Sequence, residues 1–191
     1  KEKILIVGSG LVGSLVSIYL ARKGFEVHVF EKRSDYRNEN ALAGRSINLA
    51  LSDRGWQALE EVGIDEEIRK LSIPMRGRMV HDLEGNQNFQ PYGKEGQAIY
   101  SVSRSELNIA LMRAADAYPN VQYHFNQSCI KADLRKNIAT FQNTDNQSVT
   151  EVEADIIVGA DGAYSAVRTA MQNAPRFNYS QRYINHAYKE L

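Results

Sequence analysis

Ile4-Leu5-Ile6-Val7-Gly8-Ser9-Gly10-Leu11-Val12-Gly13 is the stretch on which the reading of the fold turns. Four consecutive apolar residues with no polar alternation read as a strand buried on both faces. Leu11–Lys23 follows with apolar residues spaced for a helix lying on a sheet. Gly24 stops it, and Arg22 and Lys23 suit its last turn. Val27–Phe30 reads as a second strand, so strand, helix and strand make a βαβ unit. Within it Gly8 permits the tight turn, Gly10 leaves the backbone bare for a pyrophosphate, and Gly13 lets the helix pack on the strand. The helix start supplies unpaired N–H groups for the phosphates. Glu31 ends the second strand, where a carboxylate accepts hydrogen bonds from the adenosine ribose and repels a 2′-phosphate, which argues against NADP at this position. FAD and NAD share this fingerprint, so it does not choose between them.

Working outward, Asp35–Ala43 reads as a loop and Ile47–Leu51 as a short strand. A helix begins at Ser52 or Asp53 and carries Trp56, Leu59 and Val62, with a further short helix over Ile64–Leu71. Glu84-Gly85-Asn86 marks a hairpin between Met79–Leu83 and Asn88–Gln90. Ser103 to Tyr118 reads as a helix capped by Ser103 or Ser105, its apolar face formed by Leu107, Ala110, Leu111, Ala114 and Ala115. Val121–Phe125 is another strand. Ile130–Leu134, Ile138–Gln142 and Val149–Val152 form a small antiparallel meander, with turns at Lys136-Asn137 and Thr144–Gln147. Ile156-Ile157-Val158 is a second buried strand.

The 191 residues are 43% apolar and 24% charged, and Lys+Arg equals Asp+Glu at 23 each. This is an ordinary globular composition, with no electrostatic case for nucleic acid or an anionic membrane. Cys129 is the single cysteine. It excludes an internal disulfide and suits a reducing cytoplasm; by itself it reads as a small buried apolar residue. No apolar run approaches the roughly 18 residues of a membrane span. His28, His81, His124 and His186 stand singly without metal-ligand spacing. The chain opens on Lys1 rather than Met, which reads as a trimmed start.

Ala154 to Arg168 adds a second motif: an apolar strand, Gly159-Ala160-Asp161-Gly162, then Ser165 and Arg168 opening a helix. Asp161 sits at a strand end, the ligand edge of a parallel sheet; in isolation such an Asp-Gly pair is a helix-capping turn in roughly a third of cases. This motif resembles the Asp-Gly fingerprint of the flavoprotein aromatic hydroxylases. Longer segments are similar to the kynurenine-hydroxylating branch of that family: Gly44-Arg45-Ser46-Ile47-Asn48-Leu49-Ala50-Leu51-Ser52, Ile73-Pro74-Met75-Arg76-Gly77-Arg78-Met79, Pro91-Tyr92-Gly93 and Phe177-Asn178-Tyr179-Ser180-Gln181.

The resemblance implies an α/β Rossmann-like FAD-binding domain with a parallel sheet, a small antiparallel meander and the start of a substrate-domain sheet. It divides the chain into 1–76 (the βαβ region), 77–103 (a substrate-side hairpin insertion), 104–172 (the rest of the FAD domain) and 173–191 (an incomplete substrate domain). It implies that Gly8, Gly10, Val12, Gly13, Glu31, Arg33, Ala50, Arg104, Cys129 and Asp161 meet FAD, the Cys129 contact near the adenine through backbone. Arg78 would pair with the α-carboxylate of kynurenine, which a planar guanidinium binds at two points, and Tyr92 would hydrogen-bond to the same end. NADPH would be a transient co-substrate and O2 the oxidant, with a flavin C4a-hydroperoxide as hydroxylating species. No side chain stands out as acid or base, and no catalytic residue or metal is assigned. The stretch matches only the N-terminal portion of such enzymes, so alone it is expected to be inactive. A hydroxylase of another aromatic compound shares the cofactor motifs without needing Arg78 or Tyr92. A non-catalytic NAD-binding module would carry no flavin at all.

Overall fold

The computed structural model describes residues 1–37 and 48–187. The Gly44–Ile47 end of the hydroxylase-like segment, and the expected loop beyond Arg37, lie outside these residues. Strand β1 (Lys3–Val7), helix α1 (Leu11–Arg22) and strand β2 (Glu26–Phe30) form the βαβ unit. Next come β3 (Asn48–Leu51), α2 (Asp53–Val62), α3 (Asp65–Leu71), β4 (Ile73–Met75), β5 (Gly77–His81), β6 (Gln87–Pro91) and β7 (Ile99–Ser103). Helix α4 (Arg104–Asp116), β8 (Val121–His124), β9 (Gln127–Asp133), β10 (Ile138–Asn143), β11 (Val149–Glu153), β12 (Ile156–Gly159) and α5 (Ala166–Gln172) complete the order.

The central sheet runs β12-β1-β2-β8, every pairing parallel. Side chains alternate across a strand, so this sheet sorts its apolar residues into two cores. Ile4, Ile6, Val27 and Val29 face a cluster with Ile18 of α1, Trp56, Leu59 and Val62 of α2, and Leu107, Ala110, Leu111 and Ala115 of α4. Leu5, Val7 and Phe30 face the other side, against Ala132, Ala139 and Phe141 of the β9-β10-β11 meander and Val167 of α5. Cover on both faces explains why β1 reads as an unbroken apolar run. Each such aliphatic side chain, fully buried, contributes about 1.5–3 kcal/mol. Arg22 ties the helices together at the sheet's N-terminal end, donating to Tyr118 Oη at 2.8 Å and to the Val62 carbonyl at the C-terminus of α2 at 2.9 Å.

Two strands were not foreseen. β7 pairs with both β3 and β4, giving a small antiparallel sheet of order β3-β7-β4. β4 holds only three residues, one of them Pro74, and a proline is tolerated there because β4 is an edge strand. The β5-β6 hairpin forms around Glu84-Gly85-Asn86 with Gly77 opposite Pro91 and His81 opposite Gln87. After α5, no helix or strand forms among residues 173–187, and Tyr183 is 83% exposed.

At the far edge of the sheet His28 and His124 stack, their Nδ1 and Nε2 atoms 3.1 Å apart, and His124 also stacks on Phe30. Burial, then the charges of His28 and Lys3, holds His124 below its ordinary 6.5. The unfolded chain therefore takes up a proton that the folded chain resists. The stabilisation is complete above pH 6.5 and drains away as pH falls below that value toward the depressed folded one. Thermal melts should show a lower Tm at pH 5.5 than at 7.5, and His124→Phe should shrink that difference. An unchanged pH dependence in the variant would remove His124 from the account.

Candidate functional site

The C-terminal ends of β12, β1 and β2 meet at one edge, with Val7 in register with both Gly159 and Phe30. Gly8 turns the chain there at φ +98°, its N–H donating to the Phe30 carbonyl at 2.7 Å. A Cβ on Gly8 would lie 2.6 Å from the Ala160 oxygen and 3.0 Å from Asp161 Cα. The first motif at Gly8 thus lies against the Ala160–Asp161 backbone of the second with no room for a side chain between them. A Cβ on Gly13 would lie 1.9 Å from the Gly8 oxygen, so α1 can approach the turn only through a residue without one. Gly10 is the opposite case: among the described residues nothing lies within 4 Å of the place a Cβ would take. No side chain among the described residues caps α1, and Val12 in its first turn is 64% exposed. An open glycine followed by an uncapped helix start leaves the first N–H groups of α1 without a capping side chain among the described residues, an arrangement suited to an anion.

Behind this opening lies a buried polar network. Glu31 is 4% exposed, and its Oε2 accepts from Ser9 N at 2.9 Å and Ser9 Oγ at 3.1 Å. Its Oε1 accepts from the Arg33 backbone N at 3.1 Å and from Arg33 Nε at 2.8 Å. Burial pushes the Glu31 carboxyl up, but the Arg33 and Ser9 hydrogen bonds outweigh it and hold the group below the usual carboxylate range. A carboxylate offers about four lone-pair positions, and here all four are used. The positions expected for ribose hydroxyls are filled by Ser9 and Arg33. The Ser9 carbonyl accepts from Ser14 Oγ at 3.1 Å and from Asn108 Nδ2 of α4 at 3.0 Å. Asn108 Nδ2 also donates to Tyr36 Oη, and the Arg33 guanidinium lies 4.9 Å from the Tyr36 ring centre. Ser9, Tyr36 and Asn108 were not anticipated. The available signal was a lone amide at position 108, in line with Met112 and Ala115 on the buried face of α4.

Asp161 follows the end of β12 and caps the next helix. Its Oδ2 accepts from Ala166 N at 2.7 Å and so caps α5 beside Ser165 Oγ, which accepts from Arg168 N at 2.9 Å. Its Oδ1 is buried without a hydrogen-bond partner among the described residues. Cys129 is half-buried on β9; burial and then the Asp161 charge push its thiol up to about 11, so it stays protonated and is no nucleophile. Ala50 is exposed on β3 opposite Ser101 of β7, and Arg104 follows β7 as the exposed first residue of α4. Arg104 has no hydrogen bond or ion pair among the described residues. Arg78 and Tyr92 lie on the hairpin: Arg78 Nε donates to Gln90 Oε1 at 2.8 Å, and Tyr92 N donates to the Arg76 carbonyl at 2.9 Å. Tyr92 lines a cavity of about 480 Å³ with Trp56, Gln97 and Tyr100; Arg78 does not line it.

A family model described as an FAD binding domain matches residues 1–185. The chain belongs to this FAD-binding domain family. It is 47% identical over 189 residues to a kynurenine 3-monooxygenase of Anopheles gambiae, covering 98% of this chain and 39% of that protein. It is 44% identical over 191 residues to the kynurenine 3-monooxygenase of Sus scrofa, covering 100% of this chain and 40% of that protein. The chain therefore spans about two fifths of the length of the curated relatives it matches. Among solved structures, the tetrameric form of 2-methyl-3-hydroxypyridine-5-carboxylic acid oxygenase superposes with TM-score 0.72 at 26% identity, over 90% of this chain and 42% of that one. The flavin-dependent monooxygenase PieE, in complex with FAD and substrate, shares the fold: TM-score 0.76 at 17% identity, over 90% of this chain and 32% of that one.

The FAD-binding family fits the geometry at two points among the described residues: the open cradle at Gly10 and the uncapped start of α1. The glycines also separate folding from binding. Gly13→Ala puts a methyl against backbone that cannot yield and should destabilise the chain by more than about 3 kcal/mol. Gly10 has an extended φ of −68°, so Gly10→Ala should change stability by less than about 0.5 kcal/mol. Chemical denaturation of both variants checks this; equal losses would mean the loop is packed differently.

Proposed function

We propose that this edge holds FAD, and that the whole protein hydroxylates L-kynurenine to 3-hydroxykynurenine with NADPH and O2. The observation that carries the cofactor half is the convergence of Gly8–Gly13, Glu31 and Asp161 at one sheet edge around an open glycine. The substrate half is supported by the 44–47% identity, along the length of this chain, to proteins named kynurenine 3-monooxygenase. When bound, FAD supplies hydride acceptance from NADPH and activation of O2.

The chain's own residues bind and orient. N–H groups from Gly10 to Gly13 receive the pyrophosphate, with Val12 against the cofactor. Glu31 takes a ribose hydroxyl when Arg33, whose side chain is 53% exposed, releases its Oε1. Arg104, exposed and unpaired among the described residues, supplies a cation toward the cofactor from the start of α4, and Ala50 meets the cofactor from β3. Asp161, whose Oδ2 caps α5, supports the flavin from the end of β12, and the Cys129 backbone passes the adenine. On the hairpin within 77–103, Arg78 spends Nε on Gln90 and keeps its two terminal nitrogens for the two oxygens of an α-carboxylate. Tyr92 hydrogen-bonds to the same end of the substrate. Residues 173–191 begin the substrate domain. The single cysteine suits a reducing cytoplasm; no helix among the described residues is long and apolar enough to cross a membrane.

Steady-state NADPH oxidation by the full-length protein tests this. L-kynurenine should stimulate it with 3-hydroxykynurenine as product, and Arg78→Ala should raise KM for kynurenine by at least about tenfold, the worth of one lost charge-assisted pair. Equal stimulation by salicylate or simple phenols, insensitive to Arg78→Ala, would instead make the protein a hydroxylase of another aromatic substrate.

A further inference from the structure

The amide of Asn108 is the least expected group in the buried half of the molecule. Its neighbours on α4 are Leu107, Ala110, Leu111, Met112 and Ala115, all buried, and Asn108 itself is only 5% exposed. Its Oδ1 has no hydrogen-bond partner among the described residues. A half-satisfied buried amide is a worse core group than leucine, because the orphaned oxygen loses water and gains nothing. What the amide does provide lies at its nitrogen. One hydrogen goes to the Ser9 carbonyl at 3.0 Å and the other to Tyr36 Oη, while Met112 Sδ lies 3.6 Å away. The reverse orientation would set Oδ1 against the Ser9 carbonyl, acceptor against acceptor, so the network fixes which end is which.

These contacts close a ring. Ser9 donates to Glu31, Glu31 accepts from Arg33, Arg33 lies over Tyr36, and Tyr36 accepts from Asn108, which returns to Ser9. Ser9 immediately precedes Gly10, so whatever fixes its carbonyl fixes the direction of the next peptide N–H. Tyr36 in turn sets the guanidinium that must leave Glu31 before a ribose can bind.

We infer that Asn108 is a positioning residue for the nucleoside diphosphate half of the cofactor, acting through the Ser9 carbonyl and the Tyr36 hydroxyl without touching the ligand. This rests on the FAD reading of the site. It places in α4, some hundred residues from the glycine loop, a determinant of affinity for the ADP moiety.

The test uses full-length apoprotein, with Kd for FAD and for ADP measured by calorimetry beside the thermal midpoint. Asn108→Leu keeps the volume and removes the donor. Expected is a loss of about tenfold or more in affinity for both FAD and ADP, equivalent to about 1.4 kcal/mol, with Tm unchanged or raised. Tyr36→Phe, which deletes one hydroxyl from a half-buried ring, should weaken both ligands by about threefold. Unchanged ADP affinity in both variants overturns the assignment, as does a fall in Tm with no fall in affinity, which would make Asn108 a packing residue. Should the wild-type apoprotein bind neither FAD nor ADP, the FAD reading itself fails and carries this inference down with it.

Discussion

The peptide at Ser9 is fixed on every side. Its N–H and hydroxyl go to one oxygen of Glu31, and its carbonyl receives Ser14 and Asn108. Each contact joins the loop to a different element: the end of β2, the first turns of α1, and α4. A loop that must present bare N–H groups to a ligand cannot satisfy them internally, and without other restraint it would collapse onto its own backbone. Here the restraint is supplied one residue earlier, from behind. The open cradle at Gly10 and the closed contacts at Gly8 and Gly13 follow from that anchoring.

Much of this was legible in the residues alone. The unbroken apolar run of β1, the glycine spacing and the carboxylate at the end of β2 report local geometry, and local geometry is what a pattern of residues records. The meander was legible for the same reason, since alternation and turn residues are short-range signals. β4 and β7 were not: three residues around Pro74 and five from Ile99 to Ser103 carry no pattern of their own, and become strands only because β7 finds β3 and β4 as partners. Long-range pairing decides them.

The site divides along the same line. Gly8, Gly10, Gly13, Glu31 and Asp161 could be named because their spacing to strand ends is local. That Gly8 lies against the Ala160–Asp161 backbone, and that Glu31 faces Ser9 and Arg33 in a filled shell, depends on the packing of distant segments. Asn108 and Tyr36 escaped notice entirely. A single amide on an apolar helix face and a tyrosine in a polar loop look unremarkable until α4 is laid against the loop. The substrate side shows the limit of motif reading from another angle, for Tyr92 lines a cavity that Arg78 does not reach.

The most direct test of the central claim is a crystal structure of the protein with ADP bound. Expected are diphosphate oxygens within hydrogen-bond reach of the Gly10–Gly13 amides, with Ser9 still held by Glu31 and Asn108, and a ribose hydroxyl in the place Arg33 Nε now occupies on Glu31. A diphosphate seated elsewhere, or a loop that reaches it only by breaking Ser9 away from Glu31, would contradict the account.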